Sequence, residues 1–228
     1  VSSVRPEHIR RDAAGNVAAG DLILIIQMQG ASIDLTDTAN YGNVTAYNSA
    51  GFYEFFYIYD VDSVNNQILL DPKTNGLKND YSVSGHTQIL RVPQYTDLTI
   101  SVAGAIHAPA WDGQIGGIVA IVANSIILNG TVDVSEAGFR GGLLDNQSSS
   151  PGTNIVTYRS FNPAFGAERG ESIAGYSADY DTLGGGRYGR GAPANGGGGG
   201  NSNNAGGGEA LTAPTGTPGL DRESWTMP

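Results

Sequence analysis

Gly20-Asp21-Leu22-Ile23-Leu24-Ile25-Ile26-Gln27-Met28-Gln29-Gly30 decides the fold class. The run opens apolar on both faces. It then alternates, with Met28 on one side and Gln27 and Gln29 on the other. A β-branched, apolar segment held between two glycines fits a central strand better than a helix. The next apolar stretch outward is Phe52 to Tyr59, with six aromatics in eight positions. Strand alternation puts Tyr53, Phe55, Tyr57 and Tyr59 on one face and Phe52, Glu54, Phe56 and Ile58 on the other. Aromatics mostly serve packing, so this strand is expected to be buried on both faces; an aromatic binding platform is the alternative.

Tyr59 to Pro72 has an Asx-rich centre between two apolar arms, which is a hairpin signal. Asp60, Asp62 and Asp71 occupy positions 1, 3 and 12 of a calcium loop, but Val64 stands where a ligand belongs and Asn65 where the glycine belongs. An EF-hand site is therefore rejected. Further strands are expected at His86–Val92 and Asp97–Val102, with Pro93 breaking between them. No segment reads as an amphipathic helix. Residues 1–105 thus form a small all-β domain, a barrel or a sandwich.

Composition narrows the function classes. The chain has 228 residues with 34 glycines, a net charge of -10 and no cysteine. Disulfides and thiolate metal sites are impossible. Nucleic-acid binding by bulk charge is excluded, because an acidic surface repels phosphates. No apolar run reaches the roughly 18 residues of a membrane-spanning helix, so membrane insertion is not expected. The chain begins Val-Ser-Ser-Val, which reads either as a fragment or as a mature chain without its leader.

Residues 106–142 form a second segment. Gly113–Gly117 leads into Ile118–Ala123, then Asn124-Ser125, Ile126–Leu128, Asn129-Gly130 and Thr131–Val134. Short apolar strands alternate with two-residue corners. Asn129-Gly130 is a strong hairpin dipeptide. The same spacing fits the corners of a β-solenoid, and both readings stay open. Residues 143–228 are the third segment, glycine-rich and extended. It is either a flexible linker or ordered by polyglycine-II-like backbone packing. Arg187-Tyr188-Gly189-Arg190 and the asparagines Asn201, Asn203 and Asn204 favour order. Gly196–Gly200 is not a phosphate loop, since no Lys-Ser/Thr follows it.

GDLILIIQMQG (20–30), AWDGQIGG (110–117), NGTVDVSEAGFRGG (129–142) and GGGGGNSNNAGGG (196–208) together resemble large, repetitive, glycine-rich cell-surface proteins of Bacteroidetes and related Gram-negative bacteria. Many of those resemble gliding-motility-type adhesins. The resemblance implies an extracellular, structural or adhesive role. It implies no catalytic residues.

Local chemistry agrees with a non-enzyme. His8, His86 and His107 lack metal-ligand spacing, and no G-x-S-x-G elbow occurs. Asp60 with Asp62, or Asp179 with Asp181, could place two carboxylates roughly 6.6 Å apart along a strand, but such pairs are common on solvated turns. No metal and no cofactor are expected. The best ligand-binding candidates are Trp111, Asp112 and His107, an aromatic face beside polar acceptors. The bland reading of Trp111 is a hydrophobic cap where two segments join. Tyr176, Tyr180 and Tyr188 form a second candidate surface. The sequence therefore points to an extracellular module of a surface protein or fibre, acting by self-association or contact with neighbouring domains. A carbohydrate-binding module or tip adhesin that recognises surface glycans is the alternative, and a polysaccharide-active enzyme is a more distant one.

Overall fold

The computed structural model describes residues 3–4, 17–65, 67–71, 73, 76–143, 158–161, 167–177 and 187–199. Its regular elements are all strands: β1 (Ser3–Val4), β2 (Leu22–Gln27), β3 (Ser32–Ile33), β4 (Val44–Ala46), β5 (Tyr53–Asp62), β6 (Gln67–Leu70), β7 (Thr87–Arg91), β8 (Gln94–Ile100), β9 (Ala105–His107), β10 (Val122–Leu128) and β11 (Thr131–Asp133). The all-β class follows. The chain divides into two units, Val1–Ala31 with Tyr47–Arg140, and Ser32–Ala46 with Gly141–Pro228.

The first unit is built on a five-stranded sheet in the order β1-β6-β5-β2-β7, with every pairing antiparallel. The central position of β2 is the one its apolar sequence demands. One face of the sheet carries Ile23, Ile25, Phe56, Ile58, Ile68, Leu70 and Ile89, with Val17, Val61, Leu77 and Tyr81 against them. Burying each such side chain contributes about 1.5–3 kcal/mol. The opposite face carries Leu22, Leu24 and Val92, covered by Ile118 and Ala120. β5 and β6 form the expected hairpin, with Asp62 opposite Gln67 and a bulge between Ile58 and Asp60.

Of the two expected forms, a barrel or a sandwich, the closed barrel does not form. β1 and β7 stay as separate edges of an open sheet. The reason lies at Pro93: the chain leaves β7 there and runs into β8, which pairs with β10 rather than curling back to β1. The Ile118–Ala120 segment then covers apolar residues that barrel closure would otherwise have had to bury.

Beyond β7 the pairing turns parallel. β10 lies along β8 from Val122 opposite Gln94 to Leu128 opposite Ile100. β11 lies along β9, with Thr131, Val132 and Asp133 opposite Ala105, Ile106 and His107. Asn129-Gly130 is therefore a corner between consecutive strands and closes no hairpin. It sits over the corner Ser101–Gly104: Asn129 and Gly130 both donate to the Ile100 carbonyl, at 2.9 and 3.1 Å. A Cβ at Gly130 would come within 2.1 Å of the Gly104 carbonyl oxygen and 2.3 Å of that of Ser101. Only glycine fits. Asn124-Ser125, expected as a corner, lies instead inside β10, with Ser125 opposite Asp97.

Among its described residues the second unit has little aliphatic core. The β3–β4 pair starts and ends the loop Ser32–Ala46. Within that loop, Asp37 accepts hydrogen bonds from the backbone N–H groups of Tyr158 and Arg159, at 2.7 and 2.8 Å. Ala194 N–H donates to Gly42 O at 2.9 Å. A Cβ on Gly42, whose φ is +87°, would lie 1.7 Å from the Ala192 carbonyl oxygen. Backbone meets backbone here without side chains between, as in Gly170 N–H to Gly197 O and Gly199 N–H to Gly189 O.

Candidate functional site

Trp111 occupies a tight loop. Asp112 accepts hydrogen bonds from the N–H groups of Gln114 and Ile115, at 2.8 and 2.9 Å, while Gly117 N–H closes on Pro109 O at 2.8 Å. The indole is only 5% exposed. It meets His86 and Phe139 edge to face, with centroids 6.0 and 5.4 Å apart. Its ring offers no open face for a sugar, and Asp112 spends its carboxylate on the turn. Trp111 Nε1 is buried without a hydrogen-bond partner among the described residues. His107 stands apart on exposed β9, opposite Asp133. Hydrogen bonds from Ser135, and more weakly the His107 charge, hold the Asp133 carboxyl below its ordinary value. The histidine that does touch Trp111 is His86, which the sequence did not single out.

Tyr176 and Tyr188 lie in the second unit, while Tyr180 lies outside the described residues, as do Asp179 and Asp181. The Tyr176 hydroxyl donates to Glu168, and Arg187 donates to both Glu168 and the Tyr176 oxygen. Burial raises the Glu168 pKa, but these donors and the Leu143 N–H outweigh it and hold the carboxyl below its ordinary value. Tyr188 serves through its backbone, exchanging hydrogen bonds with Ser160 at 2.8 and 2.9 Å. Its carbonyl also accepts from Arg169, a fully buried guanidinium that lies 4.0 Å over the Tyr41 ring. Glu168, Tyr176 and Arg187 are tied to one another by hydrogen bonds.

Among the described residues two apolar surfaces are open. The first is the outer face of β5. Tyr53, Phe55, Tyr57 and Tyr59 are 43, 48, 51 and 59% exposed, whereas Phe56 and Ile58 are buried. The expectation of a strand buried on both faces is thus corrected. The Ile118–Ala120 cover packs on Leu22, Leu24 and Val92, the β2 and β7 side of that sheet face, and leaves the aromatic side wet. Tyr57 is fixed by a hydrogen bond to Gln94 Oε1 at 3.0 Å.

The second open surface is the β10–β11 side of the parallel stack. Ile126, Ile127 and Leu128 are 57, 53 and 54% exposed, and Val122, Val132 and Val134 are also exposed. Consecutive residues of a strand point to opposite faces, so neither face of β10 is covered. Among the described residues β10 has β8 as its strand neighbour on one edge and none on the other.

Comparison with known proteins brings no match: no family model, no curated protein and no solved structure is significantly similar to the chain. Among the described residues no group of histidine and carboxylate side chains is placed to hold a metal ion, and no helix is long and apolar enough to cross a membrane.

Proposed function

We propose that the chain is a structural and adhesive module of an extracellular surface protein or fibre, working by strand addition onto the β10–β11 side of its parallel stack. In this reading β8–β9 and β10–β11 are successive coils of a β-solenoid, and the glycine-rich second unit is ordered by polyglycine-II-like packing. The supporting observation is the exposure of a parallel pair. Parallel strands occur almost only where both faces are covered. Here three consecutive aliphatic residues, Ile126, Ile127 and Leu128, are each more than half exposed. An uncovered edge of this kind is a template for another strand. In a solenoid the natural occupant is a further coil, from a second copy or from a neighbouring domain. The backbone bonds Gly170 to Gly197 and Gly199 to Gly189 support the glycine packing. The resemblance to gliding-motility-type adhesins, the acidity and the lack of cysteine agree with a site of action outside the cell.

Sedimentation velocity over a concentration series tests this. The chain is expected to associate as concentration rises, and Ile127→Lys is expected to abolish the association without loss of β-sheet circular dichroism. A chain that stays monomeric at the highest concentration overturns the self-association reading.

A further inference from the structure

We propose that the open face of β5 binds a neutral, β-linked polysaccharide, with sugar rings lying against Tyr53, Phe55 and Tyr57. The proposal is independent of the assembly reading, since it uses a different surface.

Pairing register puts Tyr57 opposite Leu22, Phe55 opposite Leu24 and Tyr53 opposite Ile26 on one face of the sheet. That face therefore has two chemistries side by side. Where the chain covers itself, the residues are Leu22, Leu24, Leu90 and Val92. Where it does not, they are Tyr53, Phe55, Tyr57 and Tyr59. A surface meant for permanent burial gains nothing from phenol hydroxyls, which would each need a partner. A surface that alternates between water and a ligand needs rings that tolerate both. Pyranose rings present apolar C–H faces for stacking and a rim of hydroxyls for phenol hydrogen bonds.

Charge selects the class of glycan. β5 and its neighbours β2 and β6 carry no lysine or arginine, and Asp60 lies at the end of the aromatic row. The whole chain carries a net charge of -10. An anionic polymer would meet the Asp60 carboxylate and no lysine or arginine on these three strands; a neutral one meets no such repulsion. Ring geometry selects its form. Tyr53 and Phe55 stand 6.0 Å apart at 84° to each other, so the row is not flat. It suits a single twisted chain better than a crystalline sheet. Side chains on alternate positions recur about every 6.6 Å along a strand, so the row offers an extended line of rings to a linear polymer.

Affinity electrophoresis in soluble mixed-linkage β-glucan, xyloglucan and polygalacturonate, with calorimetry on cellohexaose, tests the proposal on the full chain. Retardation is expected in a neutral β-glycan and not in polygalacturonate. The Tyr53→Ala/Tyr57→Ala variant, changed only at exposed positions and checked by circular dichroism, is expected to bind about tenfold more weakly. Tyr57→Phe keeps the ring and is expected to retain most of the affinity. Ile127→Lys is expected to bind glycan as the parent does, which separates this surface from the β10–β11 edge. The proposal falls if no neutral β-glycan retards the chain, if polygalacturonate binds equally, or if the double variant binds undiminished. It also falls if the double variant loses self-association instead, since the row is then an interface between copies.

Discussion

Glu54 shows how a single side chain holds this fold. It is the one charged residue on β5 among the positions facing the core side, between Tyr53 and Phe55. Its carboxylate accepts from the backbone N–H groups of Lys78 and Asn79, from the Asn79 amide and from the Tyr81 hydroxyl. Burial pushes its pKa up, but these four donors prevail and the carboxyl titrates below its ordinary value. Burial, with Glu54 adding to it and Asn79 opposing, pushes the Tyr81 phenol up. A lowered acid pKa means that the folded chain prefers the ionised form. Glu54 therefore contributes full stability above its ordinary value of 4.5 and loses that contribution as pH falls through the lower folded value. Denaturant midpoints measured from pH 6 downward are expected to decline on the acid side of about 4.5. Glu54→Gln is expected to be less stable by roughly 1–2 kcal/mol at neutral pH and to show a flatter decline. Gln27 plays the uncharged counterpart. Its amide donates to Gln29 O and Asn48 O and accepts from Ser82 N–H, at 2.8, 2.9 and 2.9 Å. Gln27→Leu removes the side-chain donor to the buried Gln29 carbonyl, at a cost of about 1–3 kcal/mol, measurable by urea unfolding.

At the scale of elements, strand identity was legible and strand partnership was not. The apolar run Leu22–Ile26 pointed to a central strand, and β2 has neighbours on both sides. The aromatic alternation of β5 was also visible, but its meaning was not. Which face is wet depends on where Ile118 and Ala120 land, and that is a tertiary fact. Trp111 shows the converse: an isolated tryptophan beside an aspartate looks like a ligand platform until His86 and Phe139 close on it. Asn129-Gly130 is the sharpest case. A hairpin turn and a stacking corner both favour glycine, the first for positive φ and the second for lack of a Cβ. The close approach of the Gly104 and Ser101 carbonyls identifies the second cause. Gly130→Ala separates the two causes experimentally. Alanine is tolerated poorly by the corner, because the atoms it strikes are backbone and cannot swing away. It is expected to cost about 1–3 kcal/mol and to speed amide exchange in β10 and β11, with β2 and β5 unaffected. An unchanged exchange pattern would argue against the stacked corner.

At the scale of the whole molecule, the second unit joins chain segments far apart in sequence. Ser32–Ala46 comes from the aliphatic half, yet its partners begin at Gly141. Nothing in its composition announces this, because the joining atoms are mostly backbone. Among the described residues Tyr41 is a buried side-chain anchor of this unit. The ring is 5% exposed and lies under the Arg169 guanidinium at 4.0 Å. Arg169 in turn donates to the carbonyls of Tyr158 and Tyr188 at 2.6 and 2.7 Å. A cation buried over an aromatic face gains about 2 kcal/mol when desolvated, and truncating a buried ring costs about 3–5 kcal/mol. Among the described residues of this unit few aliphatic side chains are buried, so that loss has little to absorb it. Tyr41→Ala is therefore expected to deprotect the amides that bridge its segments, those of Ser160, Gly170, Gly191, Ala194 and Gly199. The amides of β2, β5 and β7 belong to the other unit and are expected to keep their exchange rates. Hydrogen–deuterium exchange resolved by peptide reads both sets in one experiment. Deprotection confined to the first set supports Tyr41 as the anchor of a separately ordered glycine-rich unit. Equal loss in both sets, or no loss in either, shows that the segments are held by something other than the Tyr41–Arg169 contact.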